Sequence, residues 1–460
     1  MSYAPEISRA ITPEYIAARI ERLPPSKWDF KVRSIIATAT FFDGYDIVAI
    51  AFVLPSLIGL WHLRPQQIGL LLSAGFAGQL IGAPLFGSLA ERYGRIKILT
   101  VAILMLSVFG VGCALSAGYW MLVIMRFFQG LGLGGEIPVA ATFVAEIASA
   151  KRRGRFVLLY QASLPTGMMV ASVASIWIVP AMGWQWVFGI GALPAILLLF
   201  LSRLIPESPR WLARRGRLEE ADKIATRMEE IVAAETGQPL AVPEVLASTG
   251  QQKQTASFAN LFERTYLVRT ISVWTFWFGA GLVGYGLLVW LPSIFRTVYH
   301  MSIRDSLIYS SLGNILCLIT AICSALVIDR YGRKPIFFVG FFCGGLPMLV
   351  VWILGAGATA VAVMILAAIS MASISIVQLG LWAYTPEIYP TRMRSLGTGF
   401  ASAFMRLASI VSPNVVGVLI AGVGVRGMYL GFGLVSIVAA ILVALLAIET
   451  KKRRLEEIAQ

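Results

Sequence analysis

The stretch Gly87-Ser-Leu-Ala-Glu-Arg-Tyr-Gly-Arg-Ile-Lys97 has a close relative later in the chain, Ser324-Ala-Leu-Val-Ile-Asp-Arg-Tyr-Gly-Arg-Lys334. The shared core, an acidic residue followed by Arg-Tyr-Gly-Arg, recurs after 238 residues in a chain of 460. A second related pair, Ala145-Glu-Ile-Ala-Ser-Ala-Lys-Arg-Arg-Gly-Arg155 and Pro386-Glu-Ile-Tyr-Pro-Thr-Arg-Met-Arg-Ser-Leu396, is offset by 241. Two nearly equal offsets indicate a chain made of two related halves.

The composition is that of a membrane protein. Hydrophobic residues make up 58% of the chain and charged residues 13%, whereas soluble domains have roughly 45–50% and about 25%. The mean hydropathy is +0.78, and one membrane-crossing helix needs about 20 apolar residues. Twelve such runs occur, at about 34–60, 66–90, 97–117, 119–144, 156–180, 184–204, 268–295, 305–328, 334–354, 359–384, 396–420 and 427–448. We predict an all-α membrane protein with two pseudo-symmetric six-helix halves, a design that lets one half rock against the other about a central site.

The net charge of +14 follows the membrane topology. If both termini are cytoplasmic, only six of the 38 Lys and Arg residues lie elsewhere: Arg64, Arg296, Arg304 and Arg426 in outer loops, and Arg126 and Arg406 within spans. Cytoplasmic loops of membrane proteins carry such an excess of basic residues. We therefore predict a multi-pass plasma-membrane protein with cytoplasmic termini, whose partner is the lipid bilayer and not a nucleic acid. Very short outer loops and the absence of an Asn-x-Ser/Thr acceptor favour a bacterial inner membrane.

Charge and hydropathy also divide the chain. The start is polar and has no signal-peptide pattern. A long polar stretch in the middle contains the segment Gly216-Arg-Leu-Glu-Glu-Ala-Asp-Lys-Ile-Ala225, which is typical of an amphipathic surface helix. The predicted units are a cytoplasmic N-terminal segment (1–33), a first six-helix half (34–204), a cytoplasmic linker (205–267), a second half (268–448) and a cytoplasmic tail (449–460).

Several classes of chemistry lack support in the sequence. The four cysteines lie inside apolar spans at spacings that suit neither a disulfide framework nor a metal site. The run Gly130-Leu-Gly-Leu-Gly-Gly135 follows no predicted strand, so it predicts close helix packing and not nucleotide binding. No P-loop, His-Glu-x-x-His or Gly-x-Ser-x-Gly motif occurs. We predict a protein that is not an enzyme and that needs no cofactor or metal.

The motifs resemble those of the major facilitator superfamily of transporters. The paired acid-Arg-Tyr-Gly-Arg loops are similar to its signature loop, and Arg126-Phe-Phe-Gln-Gly-Leu-Gly-Leu-Gly-Gly135 is similar to its Arg-x-x-Gln-Gly-x-Gly motif. Pro206-Glu-Ser-Pro-Arg-Trp-Leu212 and Pro386-Glu-Ile-Tyr-Pro-Thr-Arg392 resemble sequences that follow spans six and ten in sugar-porter-like members. The resemblance covers nearly the whole chain and implies alternating access between the two halves.

One branch of that superfamily is the most similar. Span seven, Trp274–Gly286, lacks the Gln-Gln-x-x-Gly-x-Asn run with which sugar porters hold hydroxyl groups. Phe42-Asp-Gly-Tyr-Asp-Ile-Val-Ala-Ile-Ala-Phe-Val-Leu-Pro55 and Gly284-Tyr-Gly-Leu-Leu-Val-Trp-Leu-Pro292 resemble nicotinate transporters, aromatic-acid/proton symporters and synaptic vesicle glycoproteins. The resemblance implies uptake of a small organic ion or vitamin together with protons.

Charged residues within spans are the sharpest functional signal, because each costs about 2.5–3.5 kcal/mol to insert on translocon scales. Asp43 and Asp46 are three residues apart in span one and so share a helix face. We predict that they carry protons, with Glu136 as a third candidate. The alternatives are that an acid of span one neutralises Arg126 or Arg406, and that Glu136 serves helix packing.

The two arginines within spans have different predicted roles. The guanidinium of Arg406 suits a substrate carboxylate, which it can bind with two parallel hydrogen bonds. A permanent ion pair with an acid of span one is the alternative for Arg406. Arg126 matches the superfamily motif, so structure and coupling are expected of it, and Gln129, one turn later, can bind it.

Aromatic and amide residues near the middle of spans complete the predicted substrate site. By resemblance, Tyr285, Gln378 and Trp382 match positions that line the central cavity of related transporters. A flat aromatic substrate can stack between such rings. The predicted substrate-binding set is Tyr45, Gln129, Tyr285, Trp290, Asn314, Gln378, Trp382 and Arg406.

The signature loops predict a gate at the cytoplasmic ends of the helices. Their charges can pair with neighbouring helix ends when the inner side is closed, and breaking those pairs lets it open. Setting topology is the simpler role for the same arginines. The predicted gating and coupling set is Glu91, Arg92, Arg95, Arg126, Glu146, Asp329, Arg330, Arg333 and Glu387.

These observations predict a monomeric secondary transporter that imports a small organic anion, an aromatic monocarboxylate such as nicotinate, with protons. Two alternatives remain open from the sequence. One is a facilitator of a neutral or cationic organic solute, and the other is a membrane sensor that transports nothing.

Overall fold

The computed structural model describes residues 11–24, 26–147, 162–196, 205–237, 240, 242–243, 258–390 and 393–450, apart from the side chains at 325–327, 329, 356 and 395. Every regular element in these ranges is helical. The helices are α1 (Pro13–Glu21), α2 (Lys27–Trp61), α3 (Pro65–Tyr93), α4 (Arg95–Ala114), α5 (Tyr119–Ile147), α6 (Ser163–Met182), α7 (Gln185–Gly191), α8 (Pro209–Arg214), α9 (Leu218–Thr236), α10 (Arg264–Thr297), α11 (Ile303–Tyr331), α12 (Arg333–Leu354), α13 (Ala360–Glu387) and α14 (Arg394–Leu446). Short 3₁₀ turns lie at Phe258–Phe262 and Gly355–Gly357.

Ten of the described helices are long and apolar enough to cross a membrane. The twelve predicted spans are accommodated in two ways. Predicted spans eleven and twelve form the single element α14, in which Gly424 has a non-helical backbone (φ 74°, ψ 179°) that separates two helical stretches. Predicted span six begins as α7, and its residues from 197 onward lie outside the described residues, as does the start of predicted span five (156–161).

The first span begins earlier than its apolar run predicts. α2 starts at Lys27 because the Ser26 hydroxyl accepts a hydrogen bond from the backbone N–H of Asp29 (3.1 Å), which caps the helix. Asp29 also forms an ion pair with Arg33 (3.2 Å) one turn later. Local capping therefore extends the helix through a polar stretch that hydropathy alone assigns to the preceding segment.

The helix pairs of the two halves correspond. In the first half α3 packs on α5, α4 on α5 and α2 on α6, and in the second half α11 packs on α13, α12 on α13 and α10 on α14. These are the same pairs in span order, as a duplicated half requires. Between the halves, α3 packs on α14, α6 on α11 and α2 on α10.

The hydrogen bonds that the structure describes between the halves lie between the middle of the bundle and the side away from the linker helices, here called the far side. The Ser73 hydroxyl donates to the carbonyl oxygen of Ile410 (2.7 Å), and the Asn414 amide donates to Ser73 Oγ (2.6 Å). Nearer the middle of the bundle, Arg406 Nη1 donates to the carbonyl oxygen of Gln79 (2.9 Å). The described polar contacts between the halves thus end at about mid-depth.

The N-terminal helix packs on the linker helices. Ile16 and Ile20 of α1 share a small apolar core with Trp211 of α8 and Ala221 and Ala225 of α9. Around this core Arg19 binds Asp222 and Glu229, and Arg22 also binds Glu229. Burial of Glu229 opposes its ionisation, but hydrogen bonds from both arginines more than offset this and hold the pKa of Glu229 below its ordinary value.

The glycine-rich run packs helix α5 against α3, as predicted. A Cβ atom on Gly78 would lie 2.1 Å from the carbonyl oxygen of Phe127, and one on Gly130 would lie 2.0 Å from that of Gly75. Both distances are far below van der Waals contact, so only glycine lets the two backbones approach this closely. Gly134 makes an equally close approach, 2.3 Å from the carbonyl oxygen of Gln79.

We expect Gly130→Ala to lower stability by roughly 1–3 kcal/mol or more, because the new methyl group must push α3 and α5 apart. Gly87→Ala is the matched control: Gly87 lies in α3, and nothing lies within 4 Å of its added Cβ. Thermal melting of the purified protein in detergent measures both. Equal melting temperatures for the two variants would contradict the close crossing.

Candidate functional site

The two acids of α2 are buried in the centre of the bundle. Asp43 and Asp46 are at most 1% exposed, as is Glu136 of α5. All three carboxyl groups are shielded from solvent inside the bundle, so each needs a proton, a hydrogen-bond donor or a cation. The structure gives the three acids different partners.

Asp46 belongs to a closed network with α5. Its Oδ2 accepts a hydrogen bond from Arg126 Nη1 (2.7 Å), and its Oδ1 accepts one from Gln129 Nε2 (2.7 Å). Arg126 Nη1 also donates to Gln129 Oε1 (2.8 Å), as the motif predicts. Of the alternatives for span one, the geometry of Asp46 is that of an acid that neutralises Arg126.

Two residues that sequence reasoning missed complete this network. The Cys113 thiol of α4 donates to Gln129 Oε1 (3.3 Å), and the guanidinium of Arg126 lies over the ring of Phe188 (5.7 Å to the centroid). Gly75 and Gly110 leave room for the guanidinium and the amide, since a Cβ at either position would be within 3.2 Å of those groups. No sequence spacing signals these contacts, because they join four different helices.

Asp43 faces a second acid. Neither of its carboxyl oxygens has a hydrogen-bond donor in the described structure, and neither has Glu136 Oε2. Glu136 Oε1 accepts a hydrogen bond from the Thr40 hydroxyl (3.0 Å), and Asp43 and Glu136 are close enough to interact directly. Two fully buried carboxyl groups can adjoin in this way when at least one of them holds a proton, which then supplies the missing donor.

Arg406 lies between the two halves. Within the described residues it forms no ion pair, and its Nη1 donates to the carbonyl oxygen of Gln79 across the interface. Tyr285 of α10 lies close enough to Arg406 to interact with it electrostatically. Its ring packs edge-on against that of Phe76 of α3 (5.1 Å between centroids). The predicted alternative, a permanent pair between Arg406 and an acid of span one, is not what the structure shows.

The other predicted substrate residues do not all converge on Arg406. Gln378 Nε2 donates to the carbonyl oxygen of Ala280 (3.0 Å), so it fastens α13 to α10. Trp382 packs edge-on against Trp277 (4.9 Å) and keeps 44% of its surface exposed. A further group is buried with polar atoms that have no described partner: Tyr45 (hydroxyl), Trp290 (Nε1) and Asn314 (Oδ1).

The signature loops form ion pairs within each half. Arg95 binds Glu91 (2.6 Å) and Glu146 (3.1 Å). In the second half Arg333 binds Glu387 (2.9 Å). None of these described ion pairs crosses from one half to the other. They join neighbouring helices within one half and do not link the two halves.

Two further gating candidates, Arg92 and Arg330, lie at the surface. The guanidinium groups of Arg92 and Arg330 lie over the rings of Tyr93 (5.3 Å) and Tyr331 (5.7 Å). The side chain of Asp329 is outside the described residues.

Two glutamates that the sequence analysis left without a role bind the backbone at the starts of the helices that follow the signature loops. Glu207 Oε1 accepts hydrogen bonds from the backbone N–H groups of Arg95 (2.9 Å) and Ile96 (3.3 Å), at the start of α4. Glu449 accepts from the N–H groups of Arg333 and Lys334 (both 3.1 Å), at the start of α12. The signal was present in the sequence, because these glutamates are 242 residues apart, close to the offset of the duplicated loops.

No cluster of metal-ligating side chains occurs in the described part of the chain. The site is instead a set of buried charges on α2, α5 and α14, near the middle of a bundle formed by two related halves. Such an arrangement is that of a transporter of the major facilitator class.

The comparisons with known proteins agree. Residues 32–460 match the description "Sugar (and other) transporter", and the chain belongs to this family. The protein is therefore a membrane transporter and not an enzyme, and the predicted fold, with two pseudo-symmetric six-helix halves, is confirmed.

Individual relatives and solved structures resemble the chain over most of its length. The chain is 33% identical to the niacin transporter NiaP of Acinetobacter baylyi, over 96% of this chain and 99% of that protein. It is 28% identical to the 4-hydroxybenzoate transporter PcaK of the same organism, over 85% of each chain. A solved structure of the xylose transporter XylE from E. coli, in a partially occluded inward open conformation, superposes with a TM-score of 0.76 at 22% identity, over 93% of this chain and all of that one.

We expect Arg95→Ala to slow turnover while ligand affinity stays within about twofold, because losing the ion pairs with Glu91 and Glu146 loosens the linker end of the first half and leaves the central cavity unchanged. Arg333→Ala should do the same in the second half. Initial transport rates and equilibrium binding on the same preparation measure the two quantities, with exposed Arg214→Ala as a control. An equal loss of affinity and rate in folded protein would instead place these loops in the binding path.

Proposed function

We propose that this protein imports a small organic monocarboxylate, an aromatic acid such as nicotinate, together with protons. The observation that carries the proposal is the contrast between two arginines. Arg126 is neutralised by Asp46 at 2.7 Å, whereas Arg406 has no acidic partner in the described structure and lies between the halves.

The charge balance favours an anionic substrate. Five charged side chains occupy the spans near the centre, and Asp46 and Arg126 cancel each other. Asp43 and Glu136 adjoin without a donor between them, which favours a protonated pair. When both carry protons, the uncompensated charge is the guanidinium of Arg406, whose two parallel N–H groups match a carboxylate.

The carboxyl pair supplies a route for coupling. A proton on Asp43 or Glu136 relieves the repulsion between the two carboxyl groups, and its release to the cytoplasmic side restores that repulsion. Substrate binding at Arg406 and proton binding at Asp43 then both change the charge of one low-dielectric region. Each ligand thereby alters the affinity for the other.

The surroundings of Arg406 suit an aromatic ring. Tyr285, which lies near Arg406, packs edge-on against Phe76 of the other half, and such rings attract a flat substrate by stacking or edge contacts. The names of two relatives point the same way, since niacin and 4-hydroxybenzoate are both small aromatic acids.

Alternating access is proposed to use the contacts on the far side. The described hydrogen bonds between the halves, from Ser73 to Ile410 and from Arg406 to Gln79, must break for that side to open. The proposed setting is a bacterial inner membrane, with a monomer whose termini face the cytoplasm. Domain boundaries at 34–204, 205–267 and 268–448 follow from the same proposal.

We expect Arg406→Lys to weaken binding of an aromatic carboxylate at least about tenfold, because lysine keeps the charge but loses the bidentate geometry. Titration of the purified protein with nicotinate or 4-hydroxybenzoate, with the rise in melting temperature as the readout of binding, measures this. The folded state of the variant is checked from its melting temperature without ligand. Unchanged affinity would remove Arg406 from the substrate site.

We expect Asp43→Asn to abolish uptake driven by an inward proton gradient, while exchange of internal for external substrate survives, because the amide imitates the protonated acid. Asp46→Asn is the contrasting variant. It leaves the buried charge of Arg126 uncompensated and should impair folding by about 3–5 kcal/mol. Counterflow and gradient-driven uptake in proteoliposomes separate the two. Accumulation against a gradient by Asp43→Asn would refute the proton assignment.

A further inference from the structure

A cavity on the far side lies between the two halves. Its volume is about 330 Å³, which is at the small end of the roughly 300–1,000 Å³ typical of ligand sites. One wall is the last turns of α2, with Pro55 and Ile58. The other wall comes from the second half, where α10 ends and α11 begins, and includes Arg296, Thr297 and His300.

The second wall is cationic and rich in donors. Arg296 is exposed and forms no ion pair in the described structure, and its Nη1 donates to the carbonyl oxygen of Met301 (2.6 Å), which folds the connection back on α10. Thr297 and His300 are also exposed beside it. The nearest acid in sequence, Asp305, is not among the lining residues and accepts a hydrogen bond from Ser302 instead.

The backbone at His300 is held in an unusual conformation. Its φ is +52°, in the left-handed region that non-glycine residues seldom adopt. His62, 238 residues earlier at the end of α2, has φ +48° and is the other described non-glycine residue with positive φ. Such conformations persist where the surroundings enforce them and are concentrated at functional sites. The turn is thus repeated in both halves, and in the second half its histidine, His300, lines the cavity.

We propose that this cavity is a second binding site, for a small organic anion of about the size of benzoate, that is distinct from the site at Arg406. The carboxylate binds Arg296 and the His300 N–H, and the apolar part lies against Pro55, Ile58 and Ile303. The two walls belong to different halves, so the site exists only while the far side is closed. A bound anion therefore stabilises that closed arrangement and delays its reopening.

The test labels Thr297→Cys from the far side with a membrane-impermeant maleimide, in intact cells, with and without benzoate. Thr297 is exposed and lines the cavity, so benzoate should slow labelling. Adding Arg296→Gln should raise the half-protecting benzoate concentration at least about tenfold, since a charge-assisted hydrogen bond is lost. Gly118→Cys, at an open position in another far-side loop, should be labelled at a rate that benzoate does not change. The chain without an added cysteine gives the background.

A third arm separates this site from the proposed transport site. Arg406→Lys should keep the protection of Thr297→Cys by benzoate, even if uptake is lost or was never present. Absence of protection in the parent Thr297→Cys chain would overturn the proposal. Protection that survives Arg296→Gln but disappears in Arg406→Lys would also overturn it, because the change at Thr297 would then report binding at the centre.

Discussion

The structure depends on the cost of placing a charge in an apolar bundle. Every charged group of the spans must be neutralised, solvated or protonated, and the fold surrounds each of these groups with different partners. Asp46 neutralises Arg126 at 2.7 Å and is itself held by Gln129. Asp43 and Glu136 adjoin and need a proton. Arg406 remains with a single described hydrogen bond, to a backbone carbonyl of the other half. The charge that the protein leaves uncompensated is the charge that its cargo is proposed to satisfy.

Equivalent contacts stabilise the linker end of each half. Glu207 and Glu449 cap the helices that follow the duplicated loops, and Arg95 and Arg333 tie those loops to Glu146 and Glu387. Each half is therefore rigid at its linker end. The described hydrogen bonds between the halves are few and lie between the far side and mid-depth. In the alternating access proposed above, rocking of the two halves about the level of Arg406 would change access to the charged centre without repacking either half.

Hydropathy and repetition were sufficient to predict the fold from the sequence. Apolar runs located the spans, the duplicated loops located the halves, and the glycine run correctly indicated the close crossing of α3 and α5. Partner choice was beyond the sequence, because it depends on how each helix is rotated about its axis. Spacing placed Asp43 and Asp46 on one face, yet Asp46 meets Arg126 and Asp43 meets Glu136. Gln378, predicted at the cavity, donates a hydrogen bond to the backbone of α10, a contact that no sequence spacing indicates. The early start of α2 was missed because a helix cap, not hydropathy, determines it. The break at Gly424, by contrast, lies between predicted spans eleven and twelve.

The sign of the uncompensated charge is the central claim, and a matched pair of ligands tests it on the unaltered protein. Nicotinate and nicotinamide share a ring and differ in the group that would meet Arg406. Thermal stabilisation of the purified protein, titrated with each compound, reports binding directly. The account predicts that the acid raises the melting temperature and that the amide does so only at concentrations at least about tenfold higher. Equal stabilisation by the amide, or stronger stabilisation by an organic cation, would contradict it.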